Sequence, residues 1–80
     1  MEKFQVTVKF CMLWNYAPKA ASFAEELFTH FRSQIEKMEL VPASKGAFEV
    51  TINGQLLYSK LDTGVFPDSD EIIKQMEALN

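Results

Sequence analysis

The residues able to do chemistry are few, and most of them sit together. Cys11 is the only cysteine of the chain, and Met12, Leu13, Trp14 and Tyr16 follow it within five residues. The stretch FCMLWNYAP, from Phe10 to Pro18, falls where an alternating pattern gives way to a helical one. A lone thiol in such a place has two readings. One is a packing residue, since free cysteine is among the most buried residue types. The other is a reactive thiol, whose anion the amides and dipole of a following helix would favour. Its apolar neighbours divide the same way. They pack beneath the helix start or form an exposed contact patch, and a short loop cannot turn all four inward. Exposed Trp and Met suit a partner-binding surface, and a dimer contact is an equal candidate.

Elsewhere the chemistry is thin. His30 lies with Glu26, Ser33 and Lys37 on the polar side of a helical segment. No second ligand-type residue keeps metal spacing with it, so a solvated histidine and no metal or cofactor are expected. Ser22, Ser44, Ser59 and Ser69 have no His/Asp constellation, which argues against a hydrolase. ASKG, with Gly46 alone, is a turn and not a phosphate-binding loop. Glu25, Glu26, Glu36, Asp68, Asp70 and Glu71 read as helix-surface and capping charges.

The elements that must position Cys11 are legible from periodicity. Phe4, Val6, Val8 and Phe10 alternate with Gln5, Thr7 and Lys9, a strand with one buried face. By that alternation Cys11 points away from the buried face. From Ala17 the steps become three and four: Ala20, Ala24, Leu27, Phe31, Ile35 and Met38, with Phe23 and Phe28 widening the stripe. This predicts a long amphipathic helix with Asn15 as N-cap and Pro18 in the first turn. MELVP then offers a short strand, ended by Pro42. AFEVTI and QLLYSK flank Asn53-Gly54, a two-residue hairpin signal that pairs Val50 with Leu57 and puts Leu56 and Tyr58 on the opposite face. LDTGVFP is a loop. DSDEIIKQMEALN is a second helix, with Asp68 and Glu71 at capping-box spacing and Ile72, Ile73, Met76 and Leu79 buried.

The order is β-α-β-β-β-α. A right-handed crossover makes the first two strands parallel and the hairpin adds an antiparallel pair. An α/β fold follows: a four-stranded mixed sheet of order 2-1-3-4, with both helices on one face, as in the thioredoxin-like core. The 80 residues make one domain, 1–80, and 48% hydrophobic content with seven phenylalanines supplies its core. A net charge of −3 without a Lys/Arg cluster argues against nucleic acid or an anionic membrane as partner. The absence of a spanning segment, of a signal h-region and of any possible internal disulfide favours the cytoplasm.

Several stretches then carry a family likeness. VTVKFC with Trp14 before a helix, LVPASKGAFEV, NGQLLYSK and TGVFP resemble the selenoprotein W-related (Rdx) family of small thioredoxin-like proteins. The likeness runs from Val6 to Met76. Its most specific part is Val41, Pro42, Gly46, Phe48, Glu49 and Val50, then Gly64, Phe66 and Pro67. The resemblance implies a thiol redox role in cell redox homeostasis, built on a CxxC or Cys-x-x-selenocysteine motif after the first strand. Cys11 falls on the first motif position and Trp14 on the second. Pro42, six residues before Phe48, does not match the thioredoxin cis-proline, which immediately precedes its strand.

That degenerate motif limits the chemistry. Dithiol exchange needs one thiolate to attack and a second to resolve the mixed disulfide. Indole has no sulfur, so two-cysteine turnover within one chain is excluded. Two functions stay open. In one, Cys11 is a monothiol that exchanges with glutathione or a protein thiol, and an external thiol completes the cycle. In the other, the chain is a non-catalytic module that docks a protein partner through Met12, Leu13, Trp14 and Tyr16.

Overall fold

Strand β1 (Phe4–Cys11) organises the computed structural model, which describes residues 3–79. It buries Phe4, Val6, Val8 and Phe10, and it is paired on both edges. Strand β2 (Ile35–Ala43) runs parallel to it and β3 (Phe48–Ile52) antiparallel. Strand β4 (Gln55–Ser59) completes a sheet of order β2-β1-β3-β4. Helix α1 (Ala17–Phe31) forms the crossover between β1 and β2. A single helical turn, α2 (Lys60–Thr63), and helix α3 (Ser69–Ala78) follow β4. Apart from α2, this is the expected thioredoxin-like α/β order.

Both long helices cover one face of the sheet. Ala20, Phe23, Leu27 and Phe31 from α1 and Ile72 and Met76 from α3 join Val6, Val8, Val50 and Ile52 in one buried cluster. The Phe4 and Phe31 rings meet edge to face at 5.0 Å. Each of these larger side chains contributes about 1.5–3 kcal/mol through burial.

Helix α1 is shorter than its stripe suggests. After Phe31 the chain makes a 3-10 turn, Arg32–Gln34, with Arg32 at a φ of 52°. Ile35 and Met38 then belong to β2, where they face Phe4 and Val6. The stripe continued because Ile35 is buried in either element; only pairing with β1 separates the two. Asn15 is not the N-cap. Its φ is 59°, and Tyr16 takes the cap position without a side-chain bond. Pro42 does not end β2, which continues to Ala43. It lies on an edge strand, where a missing N–H is tolerated.

The hairpin turn is as read: Asn53 and Gly54 have φ values of 51° and 83°. Asn53 also anchors the start of β1. Its Oδ1 accepts the Gln5 N–H at 2.8 Å, and its own N–H donates to the Gln5 carbonyl at 2.8 Å. The expected Val50–Leu57 pair is wrong by one residue. Val50 faces Tyr58, Thr51 faces Leu56, and Leu57 is the extra residue of a bulge. The bulge turns Tyr58 toward the core, not away with Leu56. The Tyr58 hydroxyl donates to the Val65 carbonyl at 2.7 Å and meets Thr63 Oγ1 at 2.7 Å. These bonds order what was expected to be plain loop.

Helix α3 begins at Asp68, whose carboxylate accepts the Asp70 N–H at 3.0 Å, while the Glu71 N–H donates to the Asp68 carbonyl. Ile72 and Met76 are buried and Ile73 is half-buried, but Leu79 is exposed beyond the helix end. Asn80, which the expected helix included, lies outside the described residues.

A Cβ at Gly54 would meet no atom within 4 Å, so Gly54→Ala isolates the cost of its positive φ. That cost should be about 1–2 kcal/mol, measured by urea denaturation with an unchanged m value.

Candidate functional site

Cys11 ends β1 beside Ala43 of β2, and its N–H donates to the Ala47 carbonyl at 2.9 Å. Alternation puts it on the sheet face away from the helices, with Gln5 and Lys9. Those two are exposed, yet Cys11 is 0% exposed. The thiol is sealed where the sheet end meets two loops.

The first loop is the turn Met12–Asn15. Its Asn15 N–H donates to the Met12 carbonyl at 3.3 Å, and the left-handed Asn15 redirects the chain into α1. The Tyr16 N–H returns to the Cys11 carbonyl at 3.2 Å, and the Met12 N–H reaches Ala43 at 3.3 Å. A turn this tight leaves its side chains little interior to enter. Met12 is 52% exposed, Leu13 84% and Trp14 61%. Tyr16, at the helix cap, is half-buried against the core.

Trp14 does not hang free. Its ring lies against Gly46 in the second loop, where a Cβ would stand 2.6 Å from the ring's Cζ3. Gly46 also has a φ of 75°, so both the conformation and the contact call for glycine. From Trp14 a run of edge-to-face rings leads inward. Trp14 meets Tyr16 at 6.1 Å, Tyr16 meets Phe66 at 4.7 Å, and Phe66 meets Phe48 at 5.3 Å. Two ammonium groups stand over these rings. Lys19 Nζ is 4.8 Å from the Phe66 centroid, and Lys60 Nζ is 5.2 Å from Phe66 and 5.5 Å from Tyr16. Such cation–π contacts hold long side chains near the ring faces.

The fold therefore gathers Cys11, Trp14 and Tyr16 with Gly46, Phe66, Lys19 and Lys60. Leu56 and Tyr58, expected together on one sheet face, are split by the bulge, which sends them to opposite faces. His30 is not simply solvated: its Nε2 lies 2.9 Å from Glu77 Oε2 on α3, and its ring meets Phe31 at 4.7 Å. Among the described residues no group of three or more His, Cys, Asp or Glu could hold a metal ion. No described helix is long and apolar enough to cross a membrane.

The model of the Rdx family matches residues 5–78, which is nearly the whole chain. The chain belongs to the Rdx family. The Rdx fold described above superposes on the crystal structure of a selenoprotein W-related protein from Vibrio cholerae with a TM-score of 0.92. The two share 27% identity, and the match covers 98% of each chain. A crystal structure of a protein from Bordetella parapertussis gives the same TM-score at 23% identity, over 99% of this chain and 100% of that one, a likeness of fold. Migration and invasion enhancer 1 from Bos taurus is 55% identical over 29 residues, 36% of this chain and 25% of that protein.

Lys19 and Lys60 were missed in the sequence because their place depends on Phe66 meeting Tyr16 across the fold. Gly46 was legible as a turn but not as the seat of an indole. Gly46→Ala should cost at least about 1 kcal/mol more than Gly54→Ala, since it adds a steric clash to the same backbone strain. A double-mutant cycle checks the cause: in a Trp14→Ala background that excess should vanish.

Proposed function

We propose that this Rdx protein is a thioredoxin-like partner-binding domain that engages a protein through the turn Met12–Trp14. The observation that carries this reading is the contrast at that turn. Three consecutive apolar side chains face solvent, while the thiol immediately before them is sealed. With one thiol, the chain has no internal means of releasing a partner held by a disulfide. Recognition by contact does not need that release. In a reducing cytoplasm, the expected setting, docking would also be independent of the thiol's oxidation.

A second reading rests on where Cys11 stands. It occupies the end of β1, one tight turn before α1, and its carbonyl accepts the N–H of the cap residue Tyr16, which makes no side-chain cap bond. If the turn opens, the Cys11 thiolate attacks one sulfur of oxidised glutathione, whose S–S bond breaks. A Cys11–glutathione disulfide forms, one glutathione thiolate leaves, and an external thiol must later reduce the adduct. The general redox character of the family supports this monothiol route.

One experiment separates the two. A photoreactive residue replacing Leu13 should give a discrete protein adduct in lysate of the source cells, retained when Cys11→Ser is added. Loss of the adduct in Cys11→Ser would favour thiol exchange, and no discrete adduct in either protein would refute docking through this turn. In parallel, native protein incubated with oxidised glutathione should gain little or no glutathione by mass spectrometry, whereas unfolded protein should gain one. A stoichiometric adduct on the native protein, abolished by Cys11→Ser, would make the monothiol route the primary function. Neither form should reduce insulin disulfides.

A further inference from the structure

The charged residues next to the turn in the chain and over its rings are basic, although the protein as a whole is acidic. The chain carries a net charge of −3, yet no acidic residue occurs from Lys3 to Ala24 or from Leu40 to Phe48. Those two stretches supply β1, the exposed turn, the first half of α1 and the loop on which Trp14 rests. The charges they do bring to the turn, Lys19 and Lys45, are basic, and Lys60 of α2 joins them. Lys45 adjoins Gly46, the residue under the indole, and Lys19 and Lys60 stand over the rings that continue from Trp14. Among the described residues, none of these three lysines forms an ion pair with a carboxylate. Glu26 borders the same hollow as Lys19, Asp62 lies two residues from Lys60 in α2 and Asp68 two residues from Phe66, and none of these acids forms an ion pair with the three lysines. The exposed Leu61 and Val65 flank Lys60 and Phe66 in sequence and add apolar area beside the lysines.

We infer that Met12, Leu13 and Trp14, ringed by Lys19, Lys45 and Lys60, form the docking surface for a protein segment that is both apolar and acidic. The inference rests on the partner-binding reading above and adds the chemistry of the partner. Apolar side chains of the segment cover the turn, where burial supplies affinity. Carboxylates alongside them meet three ammonium groups that have no carboxylate partner among the described residues. Complementary charge of this kind fixes register and raises the association rate. It also rejects basic segments, which would set like charges together around the turn.

Trp14 is the only tryptophan, so its emission reports on the site without a label. Short synthetic peptides of alternating glutamate–leucine, serine–leucine and lysine–leucine are titrated into the intact protein, with phosphatidylserine vesicles as a separate arm. The glutamate–leucine peptide should shift Trp14 emission and bind tightest, with affinity falling as salt rises. The triple variant Lys19→Gln, Lys45→Gln, Lys60→Gln should weaken that peptide by about tenfold and leave the serine–leucine peptide unchanged. Equal binding of the serine–leucine and glutamate–leucine peptides would overturn the acidic partner while leaving docking through the turn intact. Preference for the lysine–leucine peptide, binding to the vesicles alone, or no response to any probe would each overturn the inference. The photo-crosslink at Leu13 judges the docking reading separately.

Discussion

Strand β1 is paired on both edges, and the position of everything at the site depends on that double pairing. A strand held on one side alone can slip by a residue, which would exchange its buried and exposed faces. Here β2 fixes the register from one side and β3 from the other, and Asn53 clasps Gln5 at the strand's start. Phe4, Val6, Val8 and Phe10 would have to leave the core together for β1 to shift. The end of the strand is therefore set, and with it the depth of Cys11 and the point where the apolar turn emerges.

Reading the sequence worked where one local rule and the global fold agreed. The alternation of β1, the positive-φ pair Asn53-Gly54 and the start of α3 at Asp68 each have a single local cause. The strand order and the placement of both helices follow from connectivity and one buried face. Failures occurred where two arrangements satisfied the same pattern. Ile35 suits a helix stripe and a strand core equally, and the choice is made by its distant partner Phe4. Leu57 and Tyr58 could each face Val50, and the bulge that selects Tyr58 has no local marker.

At the site the position of Cys11 along the strand was legible, as was the concentration of apolar residues after it. What the sequence could not supply was how those residues divide. The sealed thiol, the indole seated on Gly46 and the lysines above Phe66 arise from contacts between segments far apart in the chain. Gly46 is instructive because its two roles coincide. The same missing Cβ permits the left-handed bend and lets the ring lie against the backbone, so the loop and the turn are ordered by one contact.

Strand β2 has a neighbour on one side only, and its nine residues make it long enough to template a strand from another molecule. Its composition works against this. Lys37 and Glu39 form an ion pair at 3.6 Å, Glu39 also accepts the Thr7 hydroxyl at 3.0 Å, and Pro42 has no N–H to offer. A foreign strand laid along this margin would strip water from those charges and find a gap in the ladder. Indiscriminate sheet growth is thus discouraged at the molecule's longest open border. The exposed turn Met12–Trp14, joined to the end of this strand where the Met12 N–H meets the Ala43 carbonyl, offers side chains but no extended backbone, so it adds no template for sheet growth.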